Sequence, residues 1–218
     1  EIVEHLDDIP PSQRTGAWLK ISEKAAIEYL ATLDIDRDPF AALMAADQFT
    51  KRYPHLKKSS TFMQKRMDVG LKGFEACFKA SYDGGECYDR LLGFVDGDPK
   101  NADLAFKAGK IVRLNQFAYV ATPFFKRAID RGAGEKACAD EDLKLAVVAA
   151  LGLPTTDKRV ADARAIGSGN CFAALSDAMM EEFNKSTKGS YYFDNACGFL
   201  KAKGKLGDLQ SKQCTAAK

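Results

Sequence analysis

The sequence predicts an all-α protein, a disulfide-stapled helical bundle of antiparallel helix hairpins. Three observations lead there. Alanine occurs 32 times against eight valines and eight isoleucines, and alanine loses no rotamer entropy in a helix whereas β-branched residues are the strand formers. Apolar residues recur at helical spacing along most of the chain, while alternation with a period of two is hard to find. The cysteines are even in number: Cys77, Cys87, Cys138, Cys171, Cys197 and Cys214. None forms the CxxC or CxxxC pair of a structural zinc site or the CxxCH of haem attachment, so disulfides are the favoured reading. Hairpins follow from consecutive helices joined by short turns.

Residues 1–16 read as irregular, with Pro10-Pro11 in the middle and Gly16 at the end. A helix over 17–33 places Trp18, Ile21, Ala25, Ile27 and Tyr29 on one apolar face. Asp34, Asp36 and Asp38 close it, and Asp38-Pro39 opens the next, because proline is favoured at the first helical position. Phe40, Leu43, Met44 and Phe49 then face inward until Tyr53-Pro54. A third helix begins near Ser59-Ser60 and carries Phe62, Met63, Met67, Leu71, Phe74 and Phe78. Gly84-Gly85 permits a tight reversal, after which 86–94 reads as helical. Asp98-Pro99 opens the longest candidate, 99–131, with a kink or break at Thr122-Pro123, where proline removes a hydrogen bond.

Asp140 caps a helix over 141–151, which Gly152 and Pro154 stop. Helices over 156–166, 170–184 and 191–202 complete the list, with a turn at Gly167-Ser168-Gly169 and a tail ending near Cys214. The second of these segments carries Phe172, Leu175, Met179 and Phe183 on one side. No linker rich in Gly, Ser or Pro divides the chain, so 1–218 reads as a single helical domain with 1–56 as a helical N-terminal extension. Six cysteines allow fifteen pairings, which sequence does not decide. Proximity favours Cys77 with Cys87 across Gly84-Gly85, leaving Cys138–Cys171 and Cys197–Cys214 as a sequential set.

Lys plus Arg is 32 and Asp plus Glu is 30, a net charge of +2. A dedicated nucleic-acid binder carries a larger basic excess, so nucleic acid is not the expected partner. No apolar run approaches the roughly 18 residues that cross a bilayer. Glu1-Ile2-Val3-Glu4-His5 lacks the basic and apolar regions of a signal peptide. Because disulfides persist in oxidising compartments, the expectation is the mature form of a periplasmic or secreted protein whose export signal has been removed.

Chemistry has few candidates. A Ser-His or Cys-His system must use His5 or His55, and both sit in turn-like surroundings. There is no GxSxG, HExxH or GxxxxGK[ST] motif. Asp34-Ile35-Asp36-Arg37-Asp38 opens like a calcium loop, but Pro39 and Ala45 stand where an EF-hand needs Gly and Glu, so helix capping explains the acids. Asp96-Gly97-Asp98-Pro99 is read the same way, and Glu181-Glu182 as a solvated pair. The basic groups Lys51-Arg52 with Lys57-Lys58, and Lys201, Lys203 and Lys205, read as solvated faces able to attract an acidic partner. Phe124-Phe125 reads as core. Tyr191, Tyr192 and Phe193 form the aromatic group most suited to a partner contact, since tyrosines anchor interfaces. Neither a cofactor nor a metal is expected.

From Phe74 to Cys171 the chain resembles the small, helical, disulfide-bearing immunity proteins that guard bacteria against type VI secretion amidases. The likeness is carried by Cys77 and Cys87, then Leu91-Leu92-Gly93-Phe94-Val95-Asp96-Gly97, then Cys138, Leu143, Val147, Leu151 and Pro154, an Ala-rich stretch over 160–166, and Cys171. It spans under half of the chain, and the N-terminal section, the longer spacer and the tail holding Cys197 and Cys214 depart from it. The resemblance implies an exported protein without catalytic activity that binds a peptidoglycan-cleaving toxin. The expected function is therefore non-enzymatic binding of another protein, as an inhibitor or immunity protein. Two alternatives are an extracytoplasmic glycan hydrolase acting through carboxylates and a helical carrier of a small apolar ligand.

Overall fold

Alanine-rich segments fold into twelve α-helices among the residues that the computed structural model describes, 2–80 and 84–215, and no strand occurs among them. The chain is all-α and carries three disulfides. It forms two compact units, Glu1–Cys87 and Tyr88–Lys218. The first extends well past residue 56, the boundary that the sequence had suggested for a helical extension, because the third helix packs on the first two.

The first unit holds α1 (Gly16–Thr32), α2 (Ala41–Arg52) and α3 (Ser60–Ala80). Ala25, Ala26 and Ala46 let the helices approach closely, and Leu6, Trp18, Leu30, Phe49, Tyr53, Leu56 and Phe62 fill the space between them. The inward face of α1 differs from the expected one: Trp18, Ser22, Ala25, Ala26 and Leu30 are buried, whereas Ile21 and Tyr29 are 53% and 41% exposed. The small residues set the line of closest approach and turn the two larger side chains outward. In α2, likewise, Ala42, Ala46 and Phe49 face inward and Met44 faces solvent. That helix starts at Ala41 instead of Pro39 because the Asp38 carboxylate first closes a turn, accepting from the Phe40 N–H at 3.2 Å. The segment before α1, expected to be irregular, contains two 3-10 turns, Ile2–His5 and Pro11–Gln13, and sends Leu6 into the core.

The helix α4 (Gly85–Asp96) follows, and the second unit continues with α5 (Ala102–Asn115), α6 (Thr122–Asp130), α7 (Gly134–Cys138), α8 (Glu141–Leu151), α9 (Lys158–Ser168), α10 (Phe172–Lys185), α11 (Tyr191–Ala202) and α12 (Asp208–Thr215). The expected long helix over 99–131 is two helices. Asn101 caps α5, its Oδ1 accepting from the Leu104 N–H at 2.9 Å, and α5 stops at Asn115, whose amide donates back to the Ile111 carbonyl at 2.8 Å. A 3-10 turn, Ala118–Ala121, leads into α6, where Pro123 occupies the first turn and needs no amide hydrogen. The break thus precedes the proline. Asp140 caps α8 as expected, and Asp157 caps α9, which runs on through the buried Gly167 to Ser168 where a turn had been expected. The short helices α7 and α12 have no counterpart in the sequence reading.

Disulfides join Cys77 to Cys87, Cys138 to Cys171 and Cys197 to Cys214, with Cα separations of 5.9, 5.0 and 5.6 Å. They fasten α3 to α4, α7 to the start of α10, and α11 to α12. Part of the reversal between the first two cysteines, 81–83, lies outside the described residues. One buried polar residue, Asn195, holds three helices of the second unit together. Its amide donates to the Leu151 and Leu153 carbonyls, both at 2.8 Å, and its Oδ1 accepts from Arg164 Nη2 at 2.8 Å. The carbonyls at the end of α8, which have no partner within the helix, are satisfied in this way.

Candidate protein-contact site

The end of α5, the turn Ala118–Ala121 and the first turns of α8 and α9 meet on one face of the second unit. Thr122 fixes the turn against α8, its hydroxyl lying 2.9 Å from the Tyr119 carbonyl and 3.2 Å from the Ala146 carbonyl. Arg113 near the end of α5 pairs with Asp142 of α8 at 2.6 Å, and Lys110 reaches Asp140 at 2.8 Å. Three apolar side chains of the same elements face water. Leu114 is 67% exposed and Phe117 is 71% exposed. Leu145, one turn beyond Asp142 on α8, is also exposed.

Phe117 does not hang free. Its ring lies on Tyr119, with centroids 5.6 Å apart and planes within 7° of parallel. The Arg159 guanidinium covers the Tyr119 ring at 4.6 Å and is itself gripped by Asp157, with Nε–Oδ1 at 2.9 Å and Nη2–Oδ2 at 2.5 Å. The Arg159 hydrogen bonds hold the Asp157 carboxyl down at about 2, so the pair stays ionised at neutral pH. The result is a stack of Phe117, Tyr119 and Arg159 mounted on a helix cap, an aromatic surface with little freedom left to lose on binding.

Beside it, Tyr88 of α4 meets Phe124 edge to face at 5.3 Å, and Asp96 holds Arg127 through both carboxylate oxygens at 2.7 and 3.0 Å. Burial pushes the Tyr88 phenol up, against the pull of Arg127 and Arg159. Burial also raises the Asp162 carboxyl, opposed by Lys126 and Arg127 and aided by Asp130. A hydrolytic pair of carboxylates would need a second acid free to act with Asp162. Asp130, the acid that bears on it, is engaged by Lys126 at 2.5 Å.

Of the three aromatics expected to offer a partner contact, only Tyr191 faces solvent. Phe193 is buried and stacks on Phe183 at 4.8 Å, and the buried Tyr192 hydroxyl donates to the Met179 carbonyl at 3.2 Å. Burial pushes that phenol far above its ordinary range. Phe124 and Phe125 are core. His5 bonds the neighbouring Asp8 at 2.8 Å. His55 does meet a serine, with Nε2 lying 2.9 Å from Ser22 Oγ. The Ser22 hydroxyl, however, donates to the Leu19 carbonyl at 2.9 Å, so its oxygen accepts from the ring, and Ser22 is fully buried; the pair braces helices and offers no nucleophile. The Asp34 carboxylate accepts from the Asp36 and Arg37 N–H groups at 3.1 Å, a turn closing itself. Asp98 accepts from the Asn101 amide at 3.0 Å, and Glu181 pairs with Lys185 at 2.8 Å. Lys203 and Lys205 lie over the Phe172 ring.

Sequence reasoning placed Phe117 inside a continuous helix and so missed it. The available signal was Asn115, a residue of modest helix propensity two positions before Phe117. Comparison of the chain with known protein families, with curated proteins and with solved structures finds no match.

Proposed function

We propose that this is an exported, non-enzymatic binding protein that blocks another protein by covering part of its surface, in the manner of an inhibitor or immunity protein. The observation that carries the reading is the Phe117 ring, 71% exposed yet braced by Tyr119 and Arg159. An isolated exposed aromatic is ordinary, but a pre-ordered one in a unit that also exposes Leu114 and Leu145, with the Arg113–Asp142 pair between their helices, has the composition of an interface centre with a polar rim. Three disulfides accord with work in an oxidising compartment, periplasmic or outside the cell. The likeness of 74–171 to immunity proteins against type VI secretion amidases supplies the class of partner to try first.

The test is hydrolysis of peptidoglycan by purified type VI secretion amidases, alone and with equimolar oxidised protein. The reading expects one of them to lose most of its activity and to regain it when Phe117→Asp replaces the wild type, with retention of the pair in gel filtration changing in parallel. Equal inhibition by wild type and Phe117→Asp would remove the patch from the reading. Undiminished hydrolysis by every amidase would remove the toxin class.

A further inference from the structure

In the first unit, residues 3–8 of the chain pack against the helices through Leu6 and Asp7. Among residues 3–13 only Leu6 is buried; it inserts into the cluster formed by Trp18, Tyr53 and Leu56. Its carbonyl accepts from the Trp18 indole N–H at 3.2 Å. The next residue, Asp7, collects three donors at the mouth of that socket. The Tyr53 hydroxyl donates to Oδ1 at 3.0 Å, Arg14 Nη2 lies 3.3 Å from the same oxygen, and Arg52 pairs with Oδ2. Both guanidiniums lie on aromatic rings, Arg14 at 4.7 Å over Trp18 and Arg52 at 5.8 Å over Tyr53. Upstream of Leu6, Val3 and Glu4 line a groove of ≈ 370 Å³ with Tyr29, Phe49 and Arg52.

An apolar socket with a carboxylate clamp at its edge is the geometry of a receptor for a short peptide. The charge balance points the same way. Two guanidiniums converge on one carboxylate, and Lys51, Lys57 and Lys58 stand exposed on the same helix end and the turn after it. We propose that residues 3–8 are an intramolecular stand-in for a partner's peptide, and that the socket holding Leu6 and Asp7 takes an acidic segment in which a leucine-sized side chain directly precedes an aspartate. A strap held by one buried side chain, one carbonyl, one carboxylate and the half-buried Val3 opens more cheaply than the helices beneath it. The proposal does not rest on the patch around Phe117, and its failure would leave that reading intact.

The test uses the full chain and, as probe, a fluorescently labelled peptide of residues 2–10. In wild type the strap competes with the probe. Leu6→Ala with Asp7→Ala releases the socket, so this double variant is expected to bind the probe at least about 10-fold more tightly than wild type. A probe with alanine for the leucine and asparagine for the aspartate is expected to lose that binding, as is the double variant carrying Arg52→Ala. Equal binding by wild type and double variant, or equal binding of both probes, overturns the proposal. Should the double variant fold poorly, hydrogen exchange on wild type decides. Amides of 3–9 are expected to exchange at least about 100-fold faster than those buried in the middle of α1 and α3. Uniform protection would mean that the segment is a fixed part of the core.

Discussion

Partial burial beside Trp18 holds the His55 imidazole below its ordinary protonation range, with the Glu23 carboxylate opposing and the Arg14 guanidinium adding to the shift. The unfolded chain, whose imidazole titrates near about 6.5, therefore binds a proton more readily than the folded one. It follows that the first unit keeps its full stability above that value and loses some of it as pH falls through the window between the unfolded and the lower folded value. His55→Gln keeps a donor for Ser22 Oγ and removes the titration. Urea midpoints read from Trp18, the one tryptophan of the chain, should fall between about pH 7.5 and about pH 5 by more in wild type than in His55→Gln. Equal falls would show that the imidazole does not carry the effect. Ser22 also shows what single residues hide from sequence. A serine on a helix reads as surface, and only the packing of α1 reveals that its oxygen is a buried acceptor. Asn195 is the same case, since the carbonyls it satisfies lie more than forty residues away in sequence and no local pattern announces them.

Helices of this chain meet through small residues, and that governs which substitutions they tolerate. Gly109 of α5 faces the Phe125 ring of α6, and a Cβ there would lie 2.9 Å from two ring carbons. Gly93 of α4 has nothing within 4 Å of the same position. Alanine is the better helix former by about 1 kcal/mol, so the two sites should respond with opposite sign. Gly93→Ala is expected to stabilise the protein by about 0.5–1 kcal/mol, and Gly109→Ala to destabilise it by about 1–3 kcal/mol as the ring is forced off its rotamer. Denaturant midpoints by far-UV circular dichroism give both; a stabilising Gly109→Ala would mean that the α5–α6 contact is loose enough to yield. The same preference for small contacts explains where the sequence misled. Helical periodicity located α1 and α2 but weighted Ile21, Tyr29 and Met44 by size, whereas the faces were decided by Ala25, Ala26, Ala42 and Ala46. The cap at Asp140 was legible, whereas Asp157 and Ser190, which cap their helices in the same way, were not singled out. The end of α5 was not, because a proline seven residues downstream of Gln116 drew the expected break to itself.

At the scale of the whole chain the cross-links are unevenly shared. The first unit has one, Cys77–Cys87, with a sequence separation of 10, and the second has Cys138–Cys171 and Cys197–Cys214, with separations of 33 and 17. On the loop-entropy account these restrict the unfolded chain by about 3 kcal/mol in the first unit and about 7 kcal/mol in the second. A net stability of about 5–15 kcal/mol for a domain makes the second loss decisive and the first tolerable. The proximity argument could favour this sequential pairing beforehand because short loops close at the smallest entropic cost, yet the unequal division was invisible until the chain resolved into two units. Trp18 reports on the first unit, while far-UV circular dichroism reports on all helices. Under reducing conditions the dichroism midpoint in guanidinium should therefore fall much further than the Trp18 midpoint, so that two transitions separate where oxidised protein shows them close together. Coincident transitions after reduction would show that the chain unfolds as one block. They would also mean that a substitution at the socket of Leu6 lowers the stability of the helices around Phe117 as much as that of its own unit.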